Sequence, residues 1–193
     1  LDKKIELQSK KIEDLKLFKK GLIRDFYNEY NLRQIEIKEI GKIVTGTTPS
    51  KSINSYWDNG NITWVTPTDI NDSRDINDSF FKITDKGLNK GKFIPKNSVL
   101  VTCIASIGKN AVLKVDGSCN QQINAIIPTS AILAKFLFYV CISDYMQHEI
   151  KANASATTLP ILNKGNFSKI AITIPPLQEQ SRIVKSIEHW LSL

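Results

Sequence analysis

Apolar positions along this chain follow first a helical, then a strand-like, then again a helical spacing. Over the opening residues, Leu1, Ile5, Ile12, Leu15, Leu22 and Phe26 keep a heptad spacing, with Gln8 and Lys19 as polar interruptions. The stretch has no Pro and one Gly, Gly21, among many Lys, Glu, Leu and Ile. Residues 1–30 are therefore expected to be helical, a rod of roughly 42 Å at the α-helical rise. It would serve either as an extended coiled-coil-like arm or as a helix packed on its own domain. From about residue 35 the texture changes. β-Branched runs at 35–37, 62–65, 99–104, 111–115, 123–127 and 170–174, separated by Gly, Pro, Asn, Asp and Ser, predict short strands. Within 130–150, Ile132, Leu133, Phe136, Leu137, Val140 and Tyr145 return to helical spacing and predict one buried helix. A last helix is expected from Leu177, with Ile183, Val184, Ile187, Trp190 and Leu191 on its apolar side. Pro176 suits its start, and Glu179 lies near the positive end of its dipole.

The pattern predicts an α+β fold: a mostly short-stranded β domain with one buried helix, flanked by N- and C-terminal coiled-coil-like helices. The expected boundaries are 1–30, 31–176 and 177–193. Leu1 and Leu193 both fall in mid-helix pattern, so both ends are expected to be cut from something longer. The terminal helices share a heptad-like apolar side and are expected to pair with each other or with helices supplied by that missing sequence. Phe80, Phe81, Phe136, Phe138 and Tyr139 are expected in the core. Tyr56, Trp57 and Trp64 could stack on bases, but core packing is the stronger expectation for them.

Composition narrows the class. A hydrophobic fraction of 41% and a charged fraction of 23% over 193 residues are those of a globular chain able to bury its own core. The net charge of +7 favours a polyanionic partner without singling one out. Cys103, Cys119 and Cys141 are odd in number, widely spaced and set among apolar or small residues, which predicts reduced buried thiols and a cytoplasmic location. With His148 and His189 as the only histidines, a zinc site lacks ligands. No apolar run approaches the length of a membrane span. No cofactor is expected.

Catalytic signatures are missing from the sequence. It has no phosphate-binding G-x-x-x-x-G-K-[ST] loop, no dinucleotide-binding glycine pattern and no G-x-S-x-G elbow. Asp69, Asp72, Asp75 and Asp78 are spaced by three rather than two, against a calcium loop, and residues 71–79 are expected to form a solvated loop. Ile174-Pro175-Pro176-Leu177 resembles the Asn/Asp-Pro-Pro-aromatic motif of amino-methyltransferases only in its prolines. Ile and Leu can neither hold a target amino group nor stack a flipped base. What the chain does carry is four polar loops: VTGTTPSK at 44–51, ASIGKN at 105–110, NQQ at 120–122 and ASATT at 154–158. Hydroxyls and glycine-exposed N–H groups suit phosphate contacts. Asn and Gln can pair with the major-groove edge of adenine, and Lys with guanine.

These segments occur in a recognisable order. GKIVTGTTPS (41–50), YWDNGNITWVTPTDI (56–70), ITDKGL (83–88), IPKNSVLVTCIASIG (94–108), Asn120-Gln121, TTLPILN (157–163) and IPPLQEQSRI (174–183) together resemble a target-recognition domain of type I restriction-modification specificity subunits. The opening helix, with Lys19-Lys20-Gly21-Leu22, resembles that family's conserved spacer helix, and residues 177–193 the start of its second conserved helix. The resemblance implies a non-catalytic subunit that reads double-stranded DNA. Family members carry two such domains, each reading half of a bipartite site. Long helices between them set the gap and dock methyltransferase subunits, which restriction subunits then join. On that basis the polar loops are expected to enter the major groove, with Thr48, Ser50, Lys51, Ser106, Lys109, Asn120, Gln121, Thr157 and Thr158 as candidate contacts. The stretches 71–81 and 113–118 are expected to add specificity. Leu15, Leu22, Phe26, Leu177, Gln180, Ile183 and Ile187 would pack helix on helix, within the chain, against a methyltransferase or in self-association. Two other classes stay open on the sequence: the recognition portion of a fused methyltransferase-nuclease, and a protein–protein scaffold that binds no DNA.

Overall fold

A computed structural model describes residues 34–71, 74–155 and 158–191. The expected helix at 1–30, with Leu15, Leu22 and Phe26, lies outside the described residues, as do Asp72 and Thr157 and the side chains of Trp190 and Leu191. The element order is β1 (Gln34–Glu36), α1 (Ile37–Ile40), β2 (Gly41–Thr45), a 3₁₀ turn (Asn54–Tyr56), β3 (Ile62–Val65), β4 (Asp75–Ile76), β5 (Phe81–Ile83) and α2 (Asp85–Leu88). It continues with β6 (Val99–Thr102), β7 (Asn110–Leu113), β8 (Gly117–Cys119), β9 (Ile123–Pro128), α3 (Ala134–Cys141), α4 (Asp144–Ala152), α5 (Lys164–Ser168), β10 (Ala171–Thr173) and α6 (Leu177–Leu191).

The expected α+β class is what forms, as three layers. A five-stranded sheet in the order β2-β9-β6-β7-β4 lies in the middle, and a three-stranded sheet in the order β5-β3-β8 lies beside it. Strand alternation explains why the middle sheet is apolar on both sides. Val99, Val101, Val112 and Ile126 join one core with Phe136, Leu137, Met146, Ile150 and Phe167 from the helices. Their neighbours Leu100, Ala111, Leu113, Ile123 and Ala125 join a second core with Val65, Ile70, Ile94 and Cys119. All three cysteines are buried free thiols. Burial pushes Cys119 and Cys141 up to about 12 and Cys103 to about 11, so all three are held as thiols at neutral pH.

Two expectations are corrected. The single helix across 130–150 is two helices, α3 and α4, because Ser143 is extended (φ −65°, ψ 149°) and its hydroxyl accepts a hydrogen bond from Met146 N at 3.2 Å. Ser143-Asp144 is thus a helix-start signal inside an apolar run. Residues 71–79 are likewise not wholly a solvated loop. Ile76 is buried, and β4 pairs in parallel with β7.

An ion cluster ties β4 to the last helix. Arg74 hydrogen-bonds both carboxylate oxygens of Asp75, at 3.1 and 2.9 Å, and also pairs with Glu188, which Lys135 meets at 2.9 Å. Arg74 holds the Asp75 carboxyl below its usual range, and Lys135, with Arg74, does the same to Glu188. Carboxylates with folded-state values lowered in this way stabilise the fold above the ordinary carboxylate range and lose that contribution as pH falls through the lowered values. Glu188→Gln is therefore expected to cost about 0.2–1 kcal/mol at pH 7, the range for exposed pairs. Urea denaturation should show that difference shrinking as the pH drops below about 4.

Candidate nucleic-acid interface

Strand direction gathers the polar loops. β2 and β6 both run antiparallel to β9, with Thr45 opposite Asn124 and Thr102 opposite Ile123. The loop leaving β2, the loop joining β6 to β7 and the turn entering β9 therefore emerge at one end of the middle sheet. The 155–162 loop joins them there: Ala105 N donates to Pro160 O at 3.1 Å, Leu162 N to Cys103 O at 2.9 Å, and Asn124 Nδ2 to Leu162 O at 3.1 Å. Four segments spread over more than a hundred residues thus share one surface.

Local geometry fixes which side chains reach outward. Gly46 lies directly on the 119–122 turn: a Cβ there would stand 2.2 Å from Asn120 O and 2.3 Å from Cys119 O. Close backbone approach, rather than a positive φ, is why this position is glycine. Gly108 does need its freedom, at φ +90°. Thr102 Oγ1 donates to Ser106 O and accepts from Lys109 N at 3.0 Å, closing the 103–109 turn so that Ser106 and Lys109 are exposed. Ser50 and Lys51 are exposed on the first loop, and Thr48 Oγ1 donates to Gln121 Oε1, joining that loop to the 120–122 turn. Thr158 is exposed on the fourth loop. A cleft of about 450 Å³ opens beside Lys109, lined by Ile70, Asn71, Ile107 and Gln147 among others.

Asn120 is the exception among the expected contacts. It is 6% exposed, its Oδ1 accepts from Gln122 N and its Nδ2 donates to Gln122 Oε1, so it shapes the turn that presents Gln121. The helix residues divide similarly. Ile183, Ile187 and Gln180 are buried against the domain itself, whereas Leu177 is 44% exposed. The acidic residues have internal uses: Asp69 accepts from Thr66 N and Phe80 N, and Asp78 pairs with Lys82.

Two aromatics depart from the positions expected of them, and two others have a role that the sequence does not show. Phe80 and Phe81, expected in the core, are 84% and 42% exposed. Trp64 is buried as expected, and its Nε1 donates to Thr47 O at 3.2 Å, while Trp57 Nε1 donates to Ser50 O at 3.0 Å. The two indoles thus grip the first polar loop from beneath. One signal was available: Phe80 and Phe81 are adjacent at the start of a strand, so both could not face the same core.

Known proteins share this architecture. The sequence model described as the type I restriction modification DNA specificity domain matches residues 31–191. The EcoR124I/EcoR124II specificity subunit of Escherichia coli is 30% identical over 207 residues, covering 100% of this chain and 50% of its own length. The MjaIX specificity subunit of Methanocaldococcus jannaschii is 30% identical over 159 residues, covering 80% of this chain and 37% of its own length. Among solved structures, the HsdS subunit from Thermoanaerobacter tengcongensis aligns with a TM-score of 0.69 at 17% identity, over 99% of this chain and 47% of that one. The chain spans half or less of the length of these relatives.

Proposed function

The chain belongs to the type I restriction modification DNA specificity domain family, and from that premise we propose that it is a non-catalytic DNA-reading component of a type I restriction-modification complex. In this reading the domain at 31–176 recognises one half of a bipartite duplex site. The helices at 1–30 and 177–193 set its position and dock methyltransferase subunits, through which restriction subunits join. Base discrimination belongs to this chain, and bond making and breaking to the partner subunits.

One observation carries the proposal. Loops at 46–51, 103–109, 120–122 and 155–162 meet at one end of the sheets and present hydroxyls, the Gln121 amide and the ammonium groups of Lys51 and Lys109. That mixture suits duplex DNA, where cations and hydroxyls meet phosphate and an amide can read a base edge. Thr48, Ser50, Ser106 and Thr158 supply further hydroxyls; Asn120 acts by holding Gln121.

Binding of the complex, assembled with its methyltransferase, to a duplex selected from a random library provides the test. Affinity is expected to fall steeply with salt, by about 0.9 log units per log unit of salt for each phosphate neutralised. Lys109→Ala is expected to weaken binding evenly across sequences and to reduce that slope by about one. A flat salt response together with equal binding to all duplexes would overturn the proposal.

A further inference from the structure

We propose that Phe80 is a DNA-contacting wedge, presented on a rigid aromatic pillar next to the first polar loop; the inference rests on the DNA-reading role proposed above. The pillar begins in the protein. Buried Trp64 packs edge-to-face on Trp57, with centroids 5.0 Å apart, and on Phe81 at 6.2 Å. Phe81 packs edge-to-face on Phe80 at 4.9 Å. Each ring steadies the next, and only the outermost is 84% exposed.

The backbone beneath Phe80 is equally fixed. Its N–H donates to Asp69 Oδ1 at 2.9 Å. Ser79 Oγ accepts from Trp64 N at 2.9 Å and donates to Phe81 O at 2.7 Å, locking the 79–81 turn onto β3. A large apolar ring left 84% exposed on a turn whose backbone is fixed is an arrangement suited to a partner that covers it.

Its position selects that partner. β5 begins at Phe81, opposite Trp64, and β3 runs parallel to β8 toward Cys119, so Phe80 emerges at the same end as the 120–122 turn. Lys51 Nζ lies 5.8 Å from the Phe81 ring centroid. An aromatic face beside an exposed ammonium matches a base step beside its phosphate. Of the described carboxylates beside this turn, Asp78 pairs with Lys82, and Asp69 accepts from Thr66 N and Phe80 N. Apolar side chains pressed against or between bases unstack a step locally and contribute without any phosphate contact.

Phe80→Ala in the complete complex, probed with the selected duplex carrying 2-aminopurine at successive positions, tests this. The expected result is affinity weakened about tenfold, the effect of one lost stacking contact, with an unchanged salt slope. The wild-type complex should brighten 2-aminopurine at one step, F80A should not, and Phe80→Trp should retain both affinity and signal. The denaturation midpoint of F80A should equal the wild type's, because the ring is exposed. Wild-type binding intact with F80A equally tight overturns this proposal alone. Loss of methyltransferase capture by F80A at unchanged DNA affinity overturns it too, by placing Phe80 at a protein interface. A wild-type complex without any duplex preference sinks the DNA-reading role and this inference together.

Discussion

Gly46→Ala is expected to destabilise the protein by about 3 kcal/mol, at the upper end of the range for forcing atoms into filled space. The added carbon would meet the carbonyl oxygens of Asn120 and Cys119 at 2.2 and 2.3 Å, and the Cys119 carbonyl carbon at 2.6 Å. All three are main-chain atoms, so no side-chain rotation relieves the overlap. Nor can the turn retreat easily. Thr47 N donates to Cys119 O at 2.9 Å, Gly46 N to Ile123 O at 3.0 Å and Asn120 N to Val65 O at 3.0 Å, which tie the two sheets together there. The loop carrying Thr48, Ser50 and Lys51 would lift away from the turn carrying Gln121, and DNA affinity would fall with stability. Urea denaturation should show a lower midpoint at constant slope. Gly91→Ala, whose new carbon would meet the Ser118 hydroxyl at 3.3 Å, should stay within about 0.5 kcal/mol of wild type. Equal midpoints for the two variants would refute the account of Gly46.

Gln180→Ala comes next, at an expected cost of about 3–5 kcal/mol. The side chain is fully buried, and its amide completes three main-chain groups. Oε1 accepts from Leu133 N at 2.8 Å, and Nε2 donates to Ala131 O at 2.9 Å and to Pro175 O at 2.8 Å. Each such group left buried without a partner costs about 1–3 kcal/mol. Leu133 opens α3 and Pro175 precedes α6, so one amide joins the domain to its last helix. Gln180→Met preserves most of the volume and loses the same bonds. It should therefore be nearly as damaging, whereas wild-type stability in Q180M would show that packing, not hydrogen bonding, matters at this position. Hydrogen exchange of residues 131–133 and 177–187 would locate the loss.

How far the sequence foretells this structure depends on how local the cause is. The runs at 62–65, 99–102 and 123–127 announced themselves by β-branching, and α6 by its apolar stripe after Pro176. β2 is harder to read, because GKIVT offers a glycine and a lysine at its start, and so is β8, because GSC has no strand-like composition. Both are held by neighbours far off in sequence, β9 and β3. The loop residues were legible as chemistry but not as a surface, since only strand pairing brings residues 48 and 121 together. Asn120 reads as a contact because a side chain aimed at its own turn has the same composition as one aimed at a ligand. Phe80 departs from expectation for the opposite reason: a bulky aromatic favours a core, but this one stands on the turn before β5, whose buried position is taken by Ile83.

The pairing of β1 with β10 sets how the domain responds to tension. Gln34 faces Thr173 and Glu36 faces Ala171, so the chain enters and leaves at the same end of this short ribbon. Force applied at residue 34 and at residue 174, just past β10, loads the Gln34–Thr173 rung first, then the next, one rung at a time. Ribbons pulled in that direction peel open, whereas those pulled lengthwise must break every rung at once. Strain across these two ends would therefore open this seam while the loop surface, anchored through β2, β6 and β9, keeps its shape.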